Sequence, residues 1–276
     1  SQQHVAFEPL IAQIDSLLSQ PEVAARRGEI RQLIVSNNGS VLDEVTFPTT
    51  ALMHLLVQIN LQLPALRVLS LETRAEYVDV HELELLSSVM SERSEPAVIE
   101  LAIGFEAFDD HIRNKVFLKG LNLKTFEDLL EKVARPGMPL RLKCYFMQKP
   151  VVGMSDAEAL ADVTHGIDYL AEQAARHDVA INLHLNPTYV AKGTPLAESF
   201  AAGQYQPPRL LDVAHAALHA KGKPLSVYVG LNDEGLAVDG GSFVRSGDEP
   251  VVACLEAFNR SQDFEALAAA LAALES

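Results

Sequence analysis

The chain has 276 residues, 48% of them hydrophobic, which is enough to bury the core of one α/β domain. With 22 Lys and Arg against 37 Asp and Glu, its net charge is −15, which gives no support for nucleic-acid binding. The two cysteines, Cys144 and Cys254, lie too far apart for a metal knuckle or a disulfide framework, so we expect a reducing, cytoplasmic location. The sequence has no apolar run of about 20 residues, so no membrane partner is expected.

Short strand-like runs alternate with amphipathic helical patterns along the chain, which is typical of βα units around a parallel sheet or barrel. In chain order, the predicted elements are a helix (Phe7–Leu18), a strand (Ile30–Asn37), a helix (Thr49–Ile59), a strand (Arg67–Thr73), a helix (His81–Met90), a strand (Ala97–Phe105), a helix (Thr125–Val133), a strand (Leu140–Met147), a helix (Ala157–His177), a strand (Ala180–Asn186), a helix (Arg209–His219), a strand (Leu225–Gly230) and two closing helices (Val251–Phe258 and Phe264–Leu274). No repeat or linker interrupts them. The sequence therefore predicts one domain over residues 1–276, with βα units to about residue 222 and a C-terminal extension over about 223–276.

Polar residues recur at every second position of the predicted strands, and such residues share one face of a sheet. Arg141, Lys143 and Tyr145 share a face, with Cys144 on the opposite one. Because charges are costly to bury unless they are paired or liganded, the pattern predicts an interior that holds a polar ligand. Structural ion pairs, such as Lys143 with Glu106 or Arg74 with Glu72, are the alternative. The same spacing relates Ser70, Glu72 and Arg74, then Glu100, Ala102, Gly104 and Glu106, and then Asn182, His184 and Asn186.

Several short segments follow these strands in a fixed order. They are Ser36-Asn37-Asn38-Gly39-Ser40, Glu72-Thr73-Arg74, Gly104-Phe105-Glu106-Ala107, Asp109-Asp110-His111-Ile112-Arg113, Lys119-Gly120, Tyr145-Phe146-Met147-Gln148-Lys149-Pro150 and Gly153-Met154-Ser155-Asp156. Together they resemble radical SAM proteins of the Elp3-like group, including the archaeosine-biosynthesis relatives. The resemblance implies an α/β fold, a partial (β/α)6-type TIM barrel without its first strand. In that fold, S-adenosylmethionine (SAM) lies across the strand C-termini and chelates one iron of a [4Fe–4S] cluster.

The resemblance also implies roles for individual residues. Those for SAM are Ser36, Asn37 and Asn38 at the amino group, Glu106 at the ribose hydroxyls, and His184 and Asn186 near the adenine. Glu72, Arg74, Arg113 and Lys119 are candidates for the methionyl carboxylate or for substrate. The polar face of the fourth predicted strand adds Arg141, Lys143 and Tyr145 as substrate candidates. Two alternatives remain open: Asn37-Asn38-Gly39 is also a common turn former, and His184 suits a hydrogen-bonded core position.

The family holds its cluster with the three thiolates of a CxxxCxxC motif, which this sequence lacks. The place of that motif falls upstream of Ser1, so we expect no metal ligand in the chain itself. The implied activity is reductive cleavage of SAM and hydrogen abstraction from an unknown substrate, with an electron donor such as flavodoxin or ferredoxin. A cluster-less regulatory barrel that binds SAM or a nucleoside is one alternative. Another is a lyase or aldolase that uses Lys143 as a Schiff-base amine.

Overall fold

A computed structural model of the protein describes residues 6–275. Its six strands form one sheet in the order β1-β2-β3-β4-β5-β6, which is also their order in the chain. The pairs β1–β2, β2–β3 and β5–β6 are parallel. This confirms the predicted α/β class, in which successive parallel strands are joined by helical crossovers. The strands are β1 (Gln32–Val35), β2 (Val68–Thr73), β3 (Val98–Glu106), β4 (Leu140–Gln148), β5 (Ile181–Pro187) and β6 (Ser226–Val229).

Every predicted helix is present within the described residues, with ends shifted by at most a few positions. Two short helices that begin at prolines, α2 and α7, were not predicted. Among residues 6–275, no helix is long and apolar enough to cross a membrane. The helices are α1 (Phe7–Ser19), α2 (Pro21–Ala25), α3 (Thr49–Gln62), α4 (Val80–Ser91), α5 (Leu123–Val133), α6 (Asp156–His177), α7 (Pro195–Ala201), α8 (Leu210–Leu218), α9 (Glu249–Ser261) and α10 (Phe264–Leu274).

Side-chain caps fix several helix ends. Asp79 accepts hydrogen bonds from the backbone N–H groups of His81 and Glu82 and so begins α4. Ser155 and Glu158 form a capping box at the start of α6, where Ser155 Oγ accepts from Glu158 N and Glu158 Oε2 accepts from Ser155 N. These two reciprocal hydrogen bonds fix the start of α6.

The chain forms two compact units. The first contains the described residues up to Gly104, together with Leu123–Lys143 and His177–Ala180. Its core is made by apolar side chains of α3, α4 and α5 and by β2 and the first part of β3, including fully buried Leu56, Leu71 and Phe126.

The second unit contains Phe105–Asn122, Cys144–Arg176 and the described residues from Ile181 onward. Its core includes Phe105 and Phe146, whose rings stack at 4.8 Å between centroids. Gly166 on α6 lies against the Phe146 ring, where a Cβ atom would clash. The glycine therefore permits the close packing of α6 at this point.

Candidate functional site

A buried charged cluster lies in the first unit. Glu100 on β3 is only 1% exposed. Arg141 Nη2 lies 2.7 Å from one oxygen of its carboxylate, and Lys143 Nζ lies 2.7 Å from the other. Ser70 Oγ on β2 donates to the same carboxylate at 2.9 Å. The predicted same-face residues of three strands thus meet, and they meet around a carboxylate that the sequence did not single out as a site residue.

The Glu100 carboxyl titrates below its ordinary range. Burial alone raises its pKa, but the hydrogen bond and charge of Lys143, the charge of Arg141 and the hydrogen bond from Ser70 outweigh that effect and lower it. The carboxylate is therefore ionised at neutral pH. Since ion pairs in a low-dielectric interior lock their partners in place, the cluster fixes the orientation of the two cations.

The loop after β1 carries the predicted SAM segment. Asn37 Oδ1 accepts from Gly39 N at 2.9 Å, which closes an Asx turn, and Ser40 Oγ lies 2.5 Å from Thr73 Oγ1 at the end of β2. Ser36 and Asn38 are exposed, whereas Ser40 is fully buried. The turn-former interpretation of Asn37 therefore describes its local role, and the exposed side chains on either side of it are the ones available to a ligand.

The next predicted pair lies at the end of β2 in the same unit. Arg74 Nε donates to Glu76 Oε1 at 2.6 Å. Glu72 accepts Val41 N at 2.9 Å through its backbone carbonyl, which ties the loop after β1 to the strand. Arg74 and Glu76 are each about two fifths exposed, so their attraction is weakened by water.

In the second unit, Glu106 ends β3 in an unusual conformation. Its φ is 70°, in the left-handed region that a residue with a side chain rarely adopts. Its carboxylate is 13% exposed, and Oε1 lies 2.7 Å from Lys119 Nζ. Glu106 and Lys119 were both predicted site residues, and the structure brings them together. A carboxylate accepts up to four hydrogen bonds, so this ion pair leaves capacity for ligand hydroxyl groups.

Arg113 was also a predicted ligand contact, but its guanidinium group is 1% exposed and bound within the protein. Nε donates to the Leu121 carbonyl at 2.7 Å, and Nη1 donates to the carbonyls of Ala107 and Phe108 at 3.0 and 2.7 Å. Nη2 donates to the carboxylate of Asp110. These contacts favour a structural role, in which Arg113 holds the turn after β3, over a role at a ligand.

Three rings form a row across the second unit. His184 on β5 lies between Tyr145 and Tyr228, with ring centroids 5.0 and 4.7 Å away. Tyr228 is 43% exposed, so the row offers aromatic surface. Next to it, a Cβ atom on Gly230 would lie 2.6 Å from Asn186 Oδ1, so a larger residue there would require the Asn186 side chain to move. Tyr228 was not predicted, although its position opposite His184 in the β5–β6 register places it on the same face.

An acidic cleft of about 660 Å³ in the same unit was also missed. Asp162 on α6 accepts from the backbone N–H groups of Phe108 and Asp109 at 3.1 and 2.6 Å. Burial raises the pKa of Asp162, although these hydrogen bonds oppose the shift. The carboxylate thus anchors the turn after β3 to α6, and Asp110 and Glu158 line the same cleft.

Comparisons with known proteins show what the chain is similar to. No protein-family model matches the chain. It is 29% identical to archaeosine synthase subunit beta of Methanosarcina acetivorans over 211 residues, 75% of this chain and 57% of that protein. It is 23% identical to an uncharacterized protein of Methanocaldococcus jannaschii over 180 residues, 65% of this chain and 45% of that protein. The chain spans about half the length of these curated relatives.

A solved structure has a similar fold. This is Elp3 of Methanocaldococcus infernus with an N-terminal deletion. The superposition covers 90% of this chain and 59% of the Elp3 chain, with a TM-score of 0.59. At 16% identity, that likeness shows the fold alone. The chain is therefore similar in sequence to archaeosine synthase subunit beta and similar in fold to Elp3.

The two cysteines of this chain both lie in its second unit. Cys144 is fully buried on β4, where burial raises the pKa of its thiol, and Cys254 is partly buried on α9. Within residues 6–275, no group of three or more His, Cys, Asp or Glu side chains is arranged to hold a metal ion. Two thiols do not supply the three that a SAM-chelating [4Fe–4S] cluster uses, so the cysteines present do not fit that cluster.

Proposed function

We propose that this chain is the SAM-binding part of a radical SAM enzyme of the Elp3-like group, and that its second unit holds the adenosyl moiety. The observation that carries the proposal is Glu106, a carboxylate kept in a strained backbone conformation at the C-terminal end of β3. Strain of this kind persists where the surrounding structure over-determines it, and it is concentrated at functional sites. The C-terminal ends of parallel strands are also where barrel enzymes bind their substrates.

The chemistry of the second unit fits an adenosine. Glu106 accepts the two ribose hydroxyls through charge-assisted hydrogen bonds, and Lys119 holds the carboxylate in place. The row of Tyr145, His184 and Tyr228 offers aromatic faces to a purine ring. For Ser36, Asn37 and Asn38, the contacts with the methionyl amino group that the resemblance implies stay a prediction.

Bound SAM and its cluster would supply the radical chemistry, whereas the residues of this chain bind and orient SAM. The cysteines present do not fit the cluster, so the proposed enzyme needs three thiolates in addition to the residues of this chain. Such an enzyme takes electrons from a reduced carrier, for which flavodoxin and ferredoxin are the proposed donors.

The geometry disfavours the lyase alternative. A Schiff-base amine must be free to attack a carbonyl carbon, whereas Lys143 Nζ lies 2.7 Å from the Glu100 carboxylate and its side chain is only 8% exposed. Arg141 shares that carboxylate, so the two cations are better suited to hold an anionic group of a substrate. We therefore keep Arg141, Lys143 and Tyr145 as substrate candidates.

The test uses the full-length protein, purified and reconstituted without oxygen. We expect about four iron and four acid-labile sulfide per chain, together with reductant-dependent conversion of SAM to methionine and 5′-deoxyadenosine, in keeping with a [4Fe–4S] cluster. SAM binding without iron or cleavage would instead support the cluster-less binding module. A full-length protein that binds neither iron nor SAM would overturn the proposal.

A further inference from the structure

The outer edge of β6, the last strand in the sheet order, is covered by side chains of α9. Asn259 Oδ1 accepts from Val229 N and Asn259 Nδ2 donates to Val229 O, both at 2.8 Å. Gln262, the residue that caps α9, does the same for Val227, with Oε1 accepting from N at 2.9 Å and Nε2 donating to O at 2.7 Å. Each amide thus mimics the peptide group of a neighbouring strand.

These four bonds account for the whole edge of this short strand. Successive residues of a strand point their N–H and C=O groups to opposite sides, so Val227 and Val229 face one edge, and Ser226 and Tyr228 face the other. Gly230 N donates to Leu185 O at 2.8 Å, which shows that the even-numbered residues face β5. The outward N–H and C=O groups of β6 are therefore all paired, and the two amides pair them.

The backbone of Gln262 supports a specific role for its side chain. Its φ is 55°, in the left-handed region, where helix caps usually have glycine or asparagine. Residues two apart on a strand are about 6.6 Å apart, whereas residues three apart on a helix rise only about 4.5 Å. The side chain of Gln262 is longer than that of asparagine and starts from a cap residue outside the helix, so it spans this difference. A glycine at this position would make neither hydrogen bond to Val227.

Other edge protection is lacking in this strand. Exposed edges are normally blunted by lysine, proline or a bulge, because they are templates for pairing with another chain. The segment Leu225–Leu231 reads Leu-Ser-Val-Tyr-Val-Gly-Leu, with no charged residue and no proline. A second copy of the chain would present the same edge, and two such edges are self-complementary about a twofold axis.

We propose that α9 protects the outer edge of β6 from pairing with another strand. Asn259 and Gln262 take the hydrogen-bonding positions of a further strand, and so keep β6 from pairing with β6 of a second copy of this chain. This inference does not depend on SAM binding, since it involves only the backbone of β6 and two amide side chains.

The test is the double variant Asn259→Leu, Gln262→Met, which keeps the approximate side-chain volumes and removes the amides. We expect its sedimentation mass to rise with concentration to at least twice the wild-type value. The amides of Val227 and Val229 should exchange at least about tenfold faster in dilute solution and become protected again on association. The control Gln204→Met, Gln206→Met adds exposed methionines in the same unit without opening a strand edge, and should sediment as wild type.

Asn259→Asp keeps the acceptor for Val229 N but places a charge at the edge, so it should remain unassociated. A folded double variant with wild-type mass and unchanged exchange at Val227 and Val229 would overturn the proposal. If the double variant does not fold, Gln262→Met alone decides, since an unchanged exchange rate at Val227 N would show that the amide does not hold the edge.

Discussion

Lys119 Nζ lies 2.7 Å from Glu106 Oε1, and this ion pair joins the end of β3 to the turn that follows it. Lys119 N also donates to the Arg113 carbonyl at 3.1 Å, and Arg113 in turn binds the carbonyls of Ala107 and Phe108, directly after Glu106. The left-handed conformation of Glu106 is therefore fixed from both sides of the turn. A carboxylate held this rigidly is preorganised for a ligand, because little conformational entropy is lost on binding.

Arg113→Lys should destabilise the protein by about 2–4 kcal/mol, because a lysine cannot reach three carbonyls and leaves buried acceptors without partners. Urea denaturation measures the change. The matched control is Arg209→Lys at an exposed pair with Asp212, which should stay within about 0.5 kcal/mol of wild type. Unchanged stability combined with lost SAM binding would instead favour the original prediction that Arg113 contacts a ligand.

Glu100→Gln should destabilise the protein by about 3 kcal/mol, because it removes the charge that compensates two partly or fully buried cations. The control is Glu95→Gln, whose partner Arg67 is exposed, and it should change stability by less than about 0.5 kcal/mol. Equal changes in the free energy of unfolding for the two variants, measured by urea denaturation, would mean that the buried cluster stabilises the protein no more than an exposed ion pair does. The partners of Glu100 lower its pKa. The contribution of Glu100 to the free energy of unfolding is therefore present at neutral pH and is lost as the pH falls through that pKa.

Glu82 predicts a pH dependence of the opposite sign. Burial, with the nearby charges of Asp79 and Glu44, raises its pKa to about 7. Its folded pKa lies above the unfolded one, so its contribution to stability is fully present below about pH 4.5 and is lost as the pH rises through about 7. Since Glu82 is partly exposed, we expect Glu82→Gln to be more stable than wild type by about 1–2 kcal/mol at pH 8 and similar to it at pH 5. A constant difference at both values, measured by urea denaturation, would contradict this assignment.

The order of elements could be predicted from the sequence because hydrophobic periodicity and helix-start residues act locally. The capping box at Ser155 and Glu158 is an example, since both partners lie within one turn. The shared polar face of Arg141 and Lys143 was also predictable, because side chains alternate along any strand.

The partners of those side chains could not be predicted, because pairing depends on the register between strands that are far apart in the chain. Lys143 pairs with Glu100 and Glu106 pairs with Lys119, and the alternation of side chains along one strand does not specify these partners. The left-handed conformation of Glu106 was equally out of reach, since no residue type at that position signals it.

The most direct test of the central claim is the binding of SAM to this chain, measured by equilibrium dialysis for wild type, Glu106→Gln and the control Glu95→Gln. We predict that wild type and Glu95→Gln bind alike, and that Glu106→Gln binds at least about tenfold more weakly, because it loses charge-assisted hydrogen bonds to the ribose. No binding by the folded wild type, or equal binding by wild type and folded Glu106→Gln, would contradict the account.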